Sequence, residues 1–266
     1  SLAASIPTKI EPTADAVTSA KFLSTQAYFA LMIKRMNKAA AGSDPLSRVF
    51  GGVITSSPDA GGSTIHLSGL PPNTAEATSL KGRRHIRIGI AEMSALTLGA
   101  AIGIARNFWG TMLFPIVSIY DVFLFTRGWD AIKYALKWKS RLLLVGALSG
   151  SSLNTEGGGH QSGAEPLISR VTPGMITWEP AFPVELSFIE ADLLRRAETA
   201  DDEGRRVVYY RLSILPVEQA RLLRNLKTQA RFNEMSDDQI LEQHGKDVLT
   251  GGYMLVDYRS RKDYKP

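Results

Sequence analysis

The chain has no cysteine among its 266 residues, which removes disulfides, thiolate-bound zinc and a cysteine nucleophile at once. It has no run of like charge either. Its 31 Lys and Arg against 26 Asp and Glu give a formal net charge of +5, but the basic residues are scattered and not interleaved with stacking aromatics. No specific nucleic-acid binding is therefore expected. The phosphate cradle G-x-x-x-x-G-K-[ST] is missing. The first residues hold no charged region followed by an apolar stretch and a cleavage site, so no secretory signal is expected. The stretch "HIRIGIAEMSALTLGAAIGIA", residues 85–105, approaches the roughly 20 apolar residues that span a bilayer. Arg87 and Glu92 inside it would be costly in lipid, so no membrane span is expected.

What is present reads as a globular protein: 44% hydrophobic, 21% charged, mean hydropathy −0.06. The length suits one large domain, or one domain with an appendage. Residues 1–20 are small, polar and proline-containing and read as an N-terminal arm. From there to residue 216, short runs of Val, Ile and Leu alternate with helical patterns. The runs are "RVFGGVITSSPD", "TMLFPIVSIYD", "RLLLVGALSG", "GMITWEP" and "RRVVYYRLSI". The helical patterns are "STQAYFALMIKRMNKAA", the stretch at 85–105, "TRGWDAIKYALKWKS" and "VELSFIEADLLRRAE". Continuous apolar strands between helices imply an α/β fold, a mostly parallel sheet with helices on both faces. Residues 217–266 turn charged and helical, with a capping box from Ser236 to Gln239, and read as a linker or docking extension.

In open parallel sheets ligands sit beyond the carboxyl ends of the strands, which directs attention to Asp59, to Tyr120–Phe123 and to Gly157–Gln161, and a further candidate lies in the stretch at 85–105. Glu92 is an acid within a run of small residues. It serves either as a helix-start acid stabilised by the macrodipole or as a carboxylate that shares a proton with a ligand nitrogen. Tyr120 and Phe123 close the strand "LFPIVSIYDVF", either as core or as a clasp for a flat heteroaromatic ring. His160 follows three glycines in "NTEGGGHQSGAEP", where the backbone can approach a ligand closely. No second histidine stands at ligand spacing, so no metal is expected on this chain.

Taken in order, these segments resemble the pyrimidine-binding domain of thiamine-diphosphate enzymes of the transketolase superfamily. The similarity runs through "ITSSPDAGGST", "RHIRIGIAEMSALTLGAA", "LFPIVSIYDVFLFTRGWDAIKYAL", "LLLVGALSGSSLNTEGGGHQSGAEPLI" and "ITWEPAFPVEL". It leans toward the single-chain pyruvate dehydrogenase first component and transketolase-like relatives. The resemblance implies that Glu92, in the place of the family's G-[IV]-x-E acid, bonds the pyrimidine ring nitrogen and promotes the tautomer that deprotonates the cofactor's reactive carbon. It implies that Tyr120 and Phe123 pack on the aminopyrimidine and that His160 and Gln161 face the substrate end. Asp59 matches an acid that lines the entrance.

The family fixes the diphosphate through magnesium held by a G-D-G motif and a downstream asparagine, and no G-D-G occurs here. The resemblance thus implies that thiamine diphosphate and Mg²⁺ are held at that end by a diphosphate-binding domain from another chain or segment, in a hetero- or homo-oligomeric complex. It also implies the cytoplasm for a bacterial source, and the mitochondrial matrix or plastid for a eukaryotic one. Two readings follow: a working part of a 2-oxo-acid dehydrogenase or transketolase-like enzyme, or an inactive structural subunit descended from one.

Overall fold

A computed structural model describes residues 4, 6–11, 21–40, 52–57, 85–110, 112–149, 158–198 and 207–256. Along the chain these form β1 (Phe22–Leu23), α1 (Thr25–Ala40), β2 (Val53–Ser57), β3 (His85–Arg87), α2 (Glu92–Gly103) and α3 (Ala105–Trp109). There follow β4 (Phe114–Tyr120), α4 (Asp121–Lys137), β5 (Leu142–Ser149), α5 (Glu165–Val171), β6 (Met175–Trp178) and α6 (Glu185–Ala197). The last elements are β7 (Val207–Ser213), β8 (Val217–Glu218), α7 (Ala220–Leu226) and α8 (Asp237–Leu249).

Six strands make one sheet in the order β3-β2-β4-β5-β7-β6, with every pairing parallel. The expected α/β architecture is what the chain adopts. Alternation along each strand sends neighbours to opposite faces. Leu143, Val145, Val208 and Tyr210 join Phe29, Met32 and Met36 of α1 and Leu186 and Ile189 of α6. Leu142, Leu144 and Tyr209 join Leu96 and Ala100 of α2 and Leu124 and Ile132 of α4 on the other face. A third cluster seats α7 and α8 through Leu222, Leu226 and Ile240 against Phe182. The capping box is formed, with Ser236 accepting from the Gln239 backbone and Gln239 reaching back. Two residues each of β1 and β8 pair antiparallel, tying the approach to α1 to the chain beyond β7. Among the described residues no helix is long and apolar enough to cross a membrane.

Three local outcomes differ from the sequence pattern. The stretch at 85–105 does not start as helix: His85–Arg87 ladder onto β2 as the edge strand, and the chain turns at Gly89 with φ +83, a left-handed value that favours glycine. The amphipathic helix expected from residue 126 begins at Asp121, directly after the last residue of β4, with Asp121 at the positive end of the helix. A short helix, α5, follows the glycine-rich loop, with proline in its first turn.

The small residues of α2 have a packing reason. A methyl at Gly103 would overlap Ser140 and the Arg141 carbonyl, and one at Gly128 of α4 would overlap Leu96. Only small side chains let α2 lie this close to its neighbours.

Glu190 of α6 is fully buried and takes a hydrogen bond from the Tyr210 hydroxyl, 3.0 Å, on one oxygen. Burial raises its carboxyl from the ordinary 4.5 to about 7, against the pull of that hydrogen bond. The folded state therefore keeps a proton that the unfolded chain gives up. That contribution is intact below the unfolded value and is lost as pH rises toward 7. Glu190→Gln should accordingly gain stability over the wild type by roughly 3 kcal/mol between pH 4.5 and pH 8. Urea denaturation at the two pH values measures this, and a difference independent of pH would contradict it.

Candidate functional site

The strand order reverses direction between β2 and β4, the kind of place where open parallel sheets bind ligands. The Gly89 turn delivers Glu92 as the first residue of α2; its N-cap, Ala91, offers no side-chain cap. The acid is thus placed at the positive helix end, yet it does more than cap. Its side chain is only 9% exposed, and Arg127 Nη1 donates to Oε1 at 2.6 Å. Among the described residues nothing donates to Oε2.

Arg127 stands one turn after Phe123 on α4, so its guanidinium lies over the Phe123 ring, 3.8 Å from the centroid. Tyr120 ends β4 and is buried; Phe123 lies in the first turn of α4 rather than on the strand. The two rings meet edge to face at 6.0 Å. His160 belongs to a single 3₁₀ turn, Gly158–His160, closed by the Gln161 N–H donating to the Gly158 carbonyl at 3.1 Å. Its imidazole is 5.0 Å from the Tyr120 ring and 5.2 Å from Phe123, edge-on to both. The structure thus gathers Glu92, Tyr120, Phe123 and His160, with Gln161 half-buried next in chain. Asp59 lies outside the described residues.

Chemically this is a half-buried aromatic corner with one carboxylate oxygen held by a cation and the other without a donor among the described residues. Such a set suits a flat, nitrogen-bearing ring that stacks and presents a donor. Sequence reasoning missed Arg127, although its place four residues after Phe123 was a usable signal.

It also missed the polar cluster that underlies the corner. Asp121, fully buried between Tyr120 and Phe123 in sequence, accepts from the Tyr209 hydroxyl and from Arg211 Nε at 3.2 Å. Burial pushes its carboxyl above the ordinary range, against hydrogen bonds from Ser162 and Tyr209 and the Arg211 charge. Arg211 also pairs with Glu179 and donates to Ser162 Oγ at 3.3 Å. At the sheet edge His85 spans Thr55 Oγ1 (2.9 Å) and Ser57 Oγ (3.4 Å). Burial, then the Arg87 charge, lowers its imidazole to about 4. It is therefore neutral at ordinary pH and pins β3, the strand that leads to Glu92.

A family model described as "Transketolase, pyrimidine binding domain" matches residues 44–213. The pyruvate dehydrogenase E1 component of Cupriavidus necator is 29% identical over 128 residues, 48% of this chain and 14% of that protein. That of Escherichia coli K12 is 32% identical over 130 residues, again 48% and 14%. The chain spans about a seventh of the length of these curated relatives. Among solved structures, transketolase from Leishmania mexicana superposes with a TM-score of 0.59 at 16% identity, covering 82% of this chain and 28% of that one. Transketolase from Campylobacter jejuni gives 0.54 at 17% identity, covering 75% and 27%. At these identities the structural likeness shows the fold.

The corner depends on close approach of β5. A methyl at Gly146 would overlap the Asp121 carboxylate and press on the Tyr209 ring, whereas one at Gly163 meets nothing within 4 Å. Gly146→Ala should therefore cost about 1–3 kcal/mol in urea denaturation, and Gly163→Ala under about 1 kcal/mol. Equal effects would contradict this account of the packing.

Proposed function

The chain belongs to the family of transketolase pyrimidine-binding domains, and on that premise we propose that it is the pyrimidine-binding part of a thiamine-diphosphate-dependent enzyme of the 2-oxo-acid dehydrogenase or transketolase type. The observation that carries this reading is the link from Glu92 through Arg127 to the ring corner: 2.6 Å from carboxylate to guanidinium, 3.8 Å from guanidinium to the Phe123 ring. The link brings a carboxylate and aromatic rings together, the two things an aminopyrimidine needs.

The residues present fit the pyrimidine end of the cofactor. The Glu92 carboxyl would share a proton with the pyrimidine ring nitrogen, with Arg127 fixing the carboxylate from Oε1. Tyr120 and Phe123 supply the apolar walls. When bound, thiamine diphosphate supplies the stabilised carbanion chemistry that protein side chains lack. His160, with Gln161, lies at the substrate side, where its imidazole can hold or pass a proton to a substrate oxygen. Asp59 at the entrance is part of the same proposal.

The residues for the other end are not of the family's kind. With no G-D-G in the chain, the proposal assigns the diphosphate and Mg²⁺ to a partner domain or chain, in a hetero- or homo-oligomeric complex. The cation already seated on Glu92 favours a second reading, a retained structural subunit whose carboxylate is satisfied internally.

Calorimetric titration with thiamine diphosphate and Mg²⁺, in the presence of the diphosphate-binding partner, separates the two. Saturable binding supports the enzyme part; silence with every partner present supports the scaffold. In the reconstituted assembly Glu92→Gln should lower turnover by about 100-fold or more while the chain stays folded, and unchanged turnover would overturn the assignment of Glu92.

A further inference from the structure

We propose that Arg211 is the positioning residue of this site, setting His160 against the Tyr120–Phe123 corner by holding Ser162. The inference rests on the reading of His160 as the substrate-side group.

Arg211 lies near the carboxyl end of β7, its side chain 12% exposed, and its three nitrogens go to three different segments. Nε donates to Asp121 Oδ2 at 3.2 Å, on the residue that joins Tyr120 to the turn carrying Phe123. Nη1 donates to Glu179, just beyond β6. Nη2 donates to Ser162 Oγ at 3.3 Å, two residues after His160. Ser162 is held by Asp121 as well. Glu179 in turn carries Arg170 of α5, 3.7 Å away, so the helix leaving the His160 turn is tied to the same carboxylate. The Gly163 N–H closes the turn by donating to Glu165 at 2.7 Å.

A planar guanidinium with fixed donor directions suits this task, since it satisfies three acceptors without changing shape. The glycines before His160 supply no side-chain contact of their own: Gly158 and Gly159 have nothing within 4 Å of where a Cβ would stand. The side-chain bonds at this turn therefore come from its far side, at Ser162, beside the backbone bond to the Gly158 carbonyl. Asp121 is part of both halves, following Tyr120 in the chain and facing Ser162 in space. One ion cluster thereby fixes the distance between the ring pair and the imidazole.

Histidine NMR of the full chain tests this without any cofactor. The chain has 4 histidines, and a His160→Gln spectrum assigns the one of interest. In the wild type the His160 ring protons are displaced by the two rings it meets edge-on. In Arg211→Met and in Ser162→Ala they should move toward the values of free histidine, while buried His85 and His244 keep theirs and so report an intact fold. Amide exchange across residues 158–164 should rise about five- to ten-fold, the worth of one lost hydrogen bond. Should Arg211→Met fail to fold, Arg211→Lys decides, because it keeps a cation between Asp121 and Glu179 while losing the three-way donor geometry that reaches Ser162. Unmoved His160 signals with unchanged exchange in the folded variants would overturn the proposal. Because no cofactor is used, that result would leave the assignment of Glu92 standing, and a silent calorimetric titration would leave this one standing.

Discussion

The buried carboxylate of Asp121 is the constraint on which the carboxyl end of this sheet is built. A charge fully out of water survives only with partners close at hand. Here they come from β7, as the Tyr209 hydroxyl and the Arg211 guanidinium. To bring β7 into range, β5 between them must present no side chain at Gly146. Strand order, one glycine and one aromatic–arginine pair are therefore set together by a single acid. The same acid opens α4, so the helix phase that points Phe123 and Arg127 toward Glu92 is fixed from the same spot.

Glu92 shows how a bland and a functional role coincide. As the first residue of α2 it complements the helix dipole, as any acid would there. Its pairing with Arg127 needs something further, a helix apolar enough to sit deep against β4 and α4 so that the carboxylate is shielded. Gly99, Gly103 and Gly128 provide that depth. The run of small residues and the lone acid are thus one feature: the first lets the helix sink, and the second is what the sunken helix end presents.

Much of the architecture was legible because buried parallel strands announce themselves as unbroken Val, Ile and Leu. The elements that were not legible have specific causes. β3 is a three-residue edge strand, His-Ile-Arg, with too little pattern to separate it from the helix after it. The start of α4 was hidden because Asp121–Phe125 continues the apolar run of β4 with no turn residue between. In the site, Glu92, Tyr120, Phe123 and His160 were singled out by their order along the chain. The residues that orient them were not, since Glu92 and Arg127 lie 35 positions apart, and Asp121 and Arg211 lie 90 apart. Such pairs become neighbours only once strand order is known, and periodicity carries no information about that order.

The asymmetry of the Glu92–Arg127 pair bears on how a second domain would act. The carboxylate is 9% exposed and the guanidinium 50%, so water screens the pair from one side only. An interaction of this kind contributes little while its cation remains wet. Laying another protein surface over α2 and the first turns of α4 would exclude that water and strengthen every charge contact beneath it, the ion pair and the guanidinium–ring stack included. Water exclusion would also favour a flat ring over solvent between the aromatic walls. On the proposed reading, a partner domain contributes more than its own ligands to the far end of the cofactor: by covering this face it changes the dielectric in which Glu92 works, which gives the open corner a physical reason to depend on assembly.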